Sequence, residues 1–156
     1  MNTLLKLIVI FVLSLCISMP AMSSSILIQN AFARASIGLA KNGVIFMSIH
    51  NHSDKTDQLL TIQTDIANNT SLHSHLNDNG IMKMRRVAQI SIPGNSNIEL
   101  KPGGFHIMLM GLKKPLTEGN QFNLTLVFKN TGKLTVPVKI KRVAEMLPHK
   151  KTNHTK

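Results

Sequence analysis

Cysteine is almost absent from this 156-residue chain, and tryptophan and tyrosine are missing altogether. The single cysteine, Cys16, lies inside an N-terminal segment that has the layout of a signal peptide. The exported chain therefore has no disulfide and no thiolate, so only methionine thioethers can supply sulfur to a metal ion. A blue-copper electron-transfer centre, which needs a cysteine thiolate, is excluded.

Long apolar runs are also lacking beyond the N-terminus. Lys6 precedes an apolar run over residues 7–17, which is short of the roughly 20 residues that a membrane-spanning helix needs. We predict a signal peptide over residues 1–23, cleaved after Ala21 or Ser23, export to the periplasm, and no stable membrane span afterwards. A lipid anchor at Cys16 is the alternative, although a bulky leucine stands before it where a small residue is usual.

Acidic residues are few: seven Asp and Glu against 18 Lys and Arg give a formal net charge of +11. Nucleic acid is not the expected partner, because the chain has no Trp or Tyr for base stacking and its basic residues are scattered. An acidic membrane surface or an acidic partner protein fits the charge better. We expect residues 143–156 to form a flexible, Lys-rich tail.

Short runs with alternating apolar residues, separated by Gly, Asn, Asp and Pro, fill the remainder of the chain. They predict one all-β domain over residues 24–142, a Greek-key barrel or sandwich of seven to nine strands. Pro137 cannot donate to a ladder, so the last strand should be an edge strand or carry a bulge. The candidate strands are residues 26–35, 44–51, 58–64, 71–76, 81–87, 96–100, 105–110, 121–128 and 133–140.

Histidine and methionine cluster in two of these segments. Taken singly, a methionine that fills a core gap and a histidine at the surface would be ordinary. As a group they are candidate metal ligands: His73, His75, Met82 and Met84 in the first segment, and His106, Met108 and Met110 in the second.

The first segment is a predicted hairpin whose register depends on its loop. A four-residue loop over residues 77–80 places His73 opposite Met84 and His75 opposite Met82, all on one face. A two-residue loop changes the partners but keeps the shared face, whereas a three-residue loop breaks the arrangement. The register is therefore an assumption that a structure can test.

The second segment alternates with period two, which places His106, Met108 and Met110 on one face and Phe105, Ile107 and Leu109 on the other, facing the core. Thioether sulfur is soft and favours Cu(I), whereas zinc and calcium prefer ligands that these segments lack. No nucleophile, base and orienting group occur together, so we do not expect an enzyme.

The spacing of four of these residues is specific: His73, ten residues, Met84, twenty-one residues, His106, one residue, Met108. Together with the stretches 79–85 (NGIMKMR) and 100–112 (LKPGGFHIMLMGL), it resembles the periplasmic copper chaperones of the PCuAC family. The likeness covers residues 33–139, which is most of the mature domain.

The resemblance implies a cupredoxin-like Greek-key barrel that binds Cu(I) near its surface through His73, Met84, His106 and Met108. It further implies a monomeric protein that delivers copper to a cytochrome c oxidase subunit or its assembly factors. The other clustered residues lie outside the spacing, and we expect them to pack around the ligands or in the core: His75, Met82 and Met110.

Two alternative functions fit the same residues: a copper storage or resistance protein without a dedicated recipient, and an interaction domain whose His and Met side chains only pack.

His50 and His52 lie near the end of a predicted strand, and we expect both to be solvent-exposed. Some PCuAC relatives carry a His- and Met-rich tail for Cu(II); here the tail offers only Met146, His149 and His154, so we do not expect that role.

Overall fold

The computed structural model describes residues 24–78 and 80–142 and contains no helix within these ranges. Alternating apolar residues and Gly- or Asn-containing turns build one strand after another. The ten strands are β1 (Ile26–Arg34), β2 (Asn42–Asn51), β3 (Asp57–Gln63), β4 (Ala67–Asp78), β5 (Ile81–Val87), β6 (Ile90–Ile92), β7 (Ser96–Leu100), β8 (His106–Leu112), β9 (Gln121–Phe128) and β10 (Gly132–Lys141).

The strands form one sheet in the order β5-β4-β8-β2-β1-β10-β9-β3-β6, and β7 pairs with β2. All pairings are antiparallel except that of β1 with β10. At one end of this order, β6 contacts β2 and β7, and its neighbour β3 contacts β4. The sheet therefore folds over on itself around a shared core. That core is aliphatic and includes the fully buried Ile45, Ile49, Leu59, Ile107, Leu109, Leu124 and Leu126.

The predicted all-β, cupredoxin-like class is confirmed, but the predicted count of seven to nine strands is too low. Each of the nine candidate segments is a strand, and the tenth is the three-residue β6. β10 is not an edge strand, because it lies between β1 and β9. Its pairing with β1 starts only at Lys139. Among the described residues, Pro137 is therefore paired with β9 alone, which suits a residue that lacks an N–H donor.

A buried asparagine organises the loop between β2 and β3. Asn51 is 2% exposed. Its Nδ2 donates to the carbonyl oxygens of Lys55 (2.8 Å) and Ile92 (3.1 Å), and its Oδ1 accepts from the backbone N–H of Ser53 at 3.0 Å. The loop is thereby tied to β6, and Gly94 packs directly against the backbone of Asp54.

Replacing Gly94 with alanine is expected to destabilise the domain by about 2–3 kcal/mol, because the new Cβ would lie 2.3 Å from the carbonyl oxygen of Asp54. Gly104→Ala is the matched control, since its Cβ would make only ordinary contacts, the nearest at 3.6 Å. Urea unfolding of both variants checks the prediction, and equal midpoints would contradict it.

The predicted signal peptide (residues 1–23) and tail (residues 143–156) lie outside the described residues. Among the residues that are described, no helix has the length and apolar character needed to cross a bilayer.

Candidate metal centre

Three neighbouring strands, β5, β4 and β8, bring the clustered His and Met residues to one face of the sheet. Across the β4–β8 pair, His73 lies opposite His106 and Ser71 opposite Met108. Across the β4–β5 pair, His75 lies opposite Met84. Directly opposed residues, and residues two apart on one strand, share a face. The opposite face carries Ile107 and Leu109 into the core, and this burial fixes which side the His and Met occupy.

The hairpin register differs from the one preferred on sequence grounds. The loop has two residues and is closed by Asp78 opposite Ile81, so Met84 lies opposite His75 and not opposite His73. His73 lies opposite Arg86. The four-residue loop was therefore wrong, and the two-residue alternative, which keeps the shared face, is the one observed. Asn-Gly at residues 79–80 is the strongest short signal for a two-residue hairpin loop and could have decided the register.

The three imidazoles of this face lie close together. The ring centroids of His75 and His106 are 4.9 Å apart, and those of His73 and His106 are 5.7 Å apart. His106 is only 2% exposed, whereas His73 and His75 are half-buried. Histidine is thus packed against histidine at the centre of the face, an arrangement that would be unfavourable if the rings were charged.

Each of these rings has one buried nitrogen without a hydrogen-bond partner among the described residues: His73 Nδ1, His75 Nδ1 and His106 Nε2. Leaving a buried polar atom unpaired costs about 1–3 kcal/mol, so such atoms are rare and ask for an explanation. Unpaired nitrogens on neighbouring rings are explained if these nitrogens are available as metal ligands.

Hydrogen bonds at the other ring nitrogens orient two of these histidines. His106 Nδ1 lies 3.0 Å from the carbonyl oxygen of Gly104, which can only accept, so Nδ1 carries the proton and Nε2 keeps its lone pair. His73 Nε2 lies 2.9 Å from the Ser71 hydroxyl, which leaves Nδ1 as the unpaired nitrogen. Fixing a ring through its second nitrogen is how proteins commonly orient metal-binding histidines.

Electrostatics favour a neutral ring at His73. Burial lowers the pKa of His73, and coulombic interactions with His106 and Arg86 lower it further. A neutral ring retains the lone pair that a metal ligand needs.

The face opens into a cavity of about 500 Å³. It is lined by His75, Met84, His106 and Met108, by residues of β1, β2 and the loop between them, and by the turn before β8. No carboxylate is among the described residues that line it. Met84 is 49% exposed and Met108 is half-buried, so the thioethers are accessible without leaving the fold.

The four residues predicted as ligands from the spacing therefore share one face, and three of them line the cavity: Met84, His106 and Met108. His73 does not line it, although its ring lies beside that of His106. His75, predicted only to pack nearby, does line it. Met82 and Met110 share the face but lie outside the cavity lining; Met82 is 54% exposed.

His50 and His52 also stay apart from the cavity. Their rings stack on each other with centroids 6.2 Å apart. His52 is exposed and His50 half-buried.

Two contributors to the site were not identified from the sequence: Gly104, whose carbonyl orients His106, and Ser71, whose hydroxyl forms a hydrogen bond with His73. Ser71 could have been found, because it lies two residues from His73 and so shares its face. Gly104 could not, because its carbonyl direction depends on the turn between Lys101 and Phe105.

Among the described residues, no group of three or more His, Cys, Asp or Glu side chains is placed to hold a metal ion. A metal at this face would therefore need thioether ligands in addition to imidazole. That donor set suits a soft, monovalent ion and not zinc or calcium.

Comparison with known proteins identifies the family of this chain. Residues 26–140 match the family described as "Putative lipoprotein LpqE-like". The chain is 34% identical over 104 residues to protein RP573 of Rickettsia prowazekii (strain Madrid E), covering 66% of this chain. It is 36% identical over 97 residues to a protein described as "Putative lipoprotein Lxx21020" of Leifsonia xyli subsp. xyli (strain CTCB07), covering 60% of this chain. In both cases the match spans 58% of the relative's length.

Among solved structures, the Cu(I) form of DR1885 from Deinococcus radiodurans superposes with a TM-score of 0.65 at 28% identity, covering 79% of this chain and 83% of that one. A copper-bound PCuAC domain from PmoF2 gives a TM-score of 0.66 at 23% identity, covering 76% of this chain and 93% of that one, and shows the shared fold. The chain therefore belongs to the LpqE-like family, and the relationship to the PCuAC family that its sequence indicated is confirmed.

Proposed function

We propose that this protein is an exported, non-enzymatic metallochaperone that binds one Cu(I) ion through His73, Met84, His106 and Met108. Its cargo would be delivered to the copper centre of cytochrome c oxidase, directly or through an assembly factor. The name of the lipoprotein-like relative and the predicted signal peptide support action outside the cytoplasm.

The observation that carries the proposal is the set of buried, unpaired ring nitrogens beside two thioethers. The hydrogen bond from Nδ1 to Gly104 keeps the Nε2 atom of His106 as a lone-pair donor, and His106 lines the cavity together with Met84 and Met108. Neutral nitrogen and sulfur ligands without a carboxylate match a monovalent, soft ion. The Cu(I) form of DR1885, at 28% identity, supports the same choice of ion.

Exposure of the ligands favours transfer over permanent storage. Met84 is 49% exposed on the edge strand β5, so an acceptor's ligand can approach the ion while Met84 leaves. Exchange of one neutral ligand for another at Cu(I) changes neither the charge nor the oxidation state of the ion. A cavity that is open to solvent therefore suits a protein that hands copper on.

The binding step is tested by anaerobic Cu(I) titration combined with X-ray absorption spectroscopy. We expect one Cu(I) per chain, with both sulfur and nitrogen scatterers in its first coordination shell. Absence of stoichiometric binding, or a shell of nitrogen and oxygen alone, would reject the thioether site.

The delivery step is tested by mixing the Cu(I)-loaded protein with the soluble copper domain of the oxidase. We expect copper to appear on the acceptor, and a strain lacking the protein to lose oxidase activity when copper is scarce. Retention of copper by the protein, together with normal oxidase activity in the deletion strain, would assign it to storage.

A further inference from the structure

His75 falls outside the spacing that selects the four ligands, yet the structure places it at the centre of the site. It lines the cavity with Met84, His106 and Met108, whereas His73 does not. Its ring centroid is 4.9 Å from that of His106, nearer than the 5.7 Å of His73. Among the described residues its buried Nδ1 has no hydrogen-bond partner, which is the condition of a ligand nitrogen.

The hairpin register brings His75 to this position. Because the loop has two residues, His75 lies directly opposite Met84, and directly opposed Cβ atoms are about 4.5–5.5 Å apart. The carbonyl of Gly104 accepts from the backbone N–H of His75 at 3.3 Å and also meets His106 Nδ1 at 3.0 Å. One peptide group therefore holds His75 and His106 in a common arrangement beside Met84.

Among the described residues, His73, His75 and His106 do not form a group of three side chains that could hold a metal ion. The rings of His73 and His75 lie 5.7 and 4.9 Å from that of His106, so either ring is near enough to serve as the second imidazole beside it. Met84, His106 and Met108 are common to both arrangements, with His73 completing one and His75, on the cavity side, completing the other.

We propose that His75 is a Cu(I) ligand that exchanges with His73 and holds the ion at the cavity from which it passes to an acceptor. In the exchange the bond from copper to His73 nitrogen breaks as the bond to His75 nitrogen forms. Both rings stay neutral, no proton is released, and copper remains Cu(I). The proposal rests on the proposed function and adds to it the residue from which copper leaves.

The test compares His75→Gln, His73→Gln and the double variant, with His50→Gln as the control for loss of a histidine elsewhere. We expect His75→Gln to slow Cu(I) transfer to an acceptor chelator by about tenfold or more. His73→Gln should still bind one Cu(I) through two nitrogens, and the double variant should lose more affinity than the two single changes predict.

Nitrogen-15 NMR of the imidazole rings in the unaltered protein gives a second readout that does not depend on a variant folding. On Cu(I) addition we expect the ring nitrogens of His75 to shift along with those of His106. Shifts confined to His73 and His106, or unchanged transfer by His75→Gln, would overturn the role of His75 while leaving copper binding intact. Failure of the unaltered protein to bind Cu(I) would instead reject the proposed function as well.

Discussion

Replacing Met84 and Met108 together with leucine is expected to lower Cu(I) affinity by more than about 100-fold. Loss of a residue that merely orients a metal ligand commonly costs about 10–100-fold, and this variant loses two proposed ligands. Leucine has nearly the volume of methionine, so the exchange should cost the fold less than about 1.5 kcal/mol per site. Affinity is therefore expected to fall while stability is retained.

The matched control replaces Met82 and Met110, which share the face but do not line the cavity. Competition with a Cu(I) chelator under anaerobic conditions measures both double variants against the unaltered protein. We expect the control to stay within about threefold of it, a difference of about 0.7 kcal/mol. If the Met84 and Met108 double variant also kept its Cu(I) affinity, these methionines would be packing residues and the proposed copper site would be rejected.

Most of the fold could be predicted from alternation and turns, because most strands of the folded sheet have one face in the core and one outside it. The edge strand β5 has no buried residue. The exception to the prediction is β6, whose Ile90 and Ile92 are buried but whose three residues are too short to show a period. β4 is longer than predicted, from Ala67 to Asp78. Its start reads as a loop because Asn68 and Asn69 are poor strand formers, and pairing with β8 holds this segment extended.

The candidate site was less predictable than the fold, since its partners depend on register. His73 and Met84 share a face under either even-numbered loop, but only the two-residue loop puts His75 opposite Met84. Four consecutive turn-forming residues, 77–80, allow both loops, and only the Asn-Gly pair at residues 79–80 favours the two-residue loop. Whether His73 or His75 reaches the cavity depends further on the turn before β8, which involves packing between distant parts of the chain.

Replacing Asp57 with alanine is expected to destabilise the domain by about 3 kcal/mol, the largest stability effect anticipated for a polar side chain here. Asp57 is 3% exposed. Its carboxylate accepts the backbone N–H groups of Gln58, Asn130 and Thr131 at 2.7, 2.9 and 2.9 Å, and the Thr131 hydroxyl at 2.7 Å. Removing the carboxylate leaves these donors, which join β3 to the β9–β10 turn, without their acceptor.

The same carboxylate should make stability depend on pH. Burial by itself raises the pKa of Asp57, but the hydrogen bonds from the Thr131 hydroxyl and from the backbone of Asn130, Gln58 and Thr131 outweigh it, so the pKa lies below the ordinary 3.8. A lowered pKa means that the ionised form favours the folded state: its contribution is complete well above pH 3.8 and declines as the pH falls through 3.8 towards the folded-state value. Denaturant unfolding at pH 7 and at successively lower pH should therefore show that the difference in unfolding free energy between the unaltered protein and Asp57→Ala narrows in acid.

Asp57→Asn, which keeps the shape but turns an amide N–H₂ towards backbone donors, should be about as unstable as Asp57→Ala at pH 7. A gap that stays constant down to pH 2 would show that the ionised carboxylate does not hold the β9–β10 turn against β3.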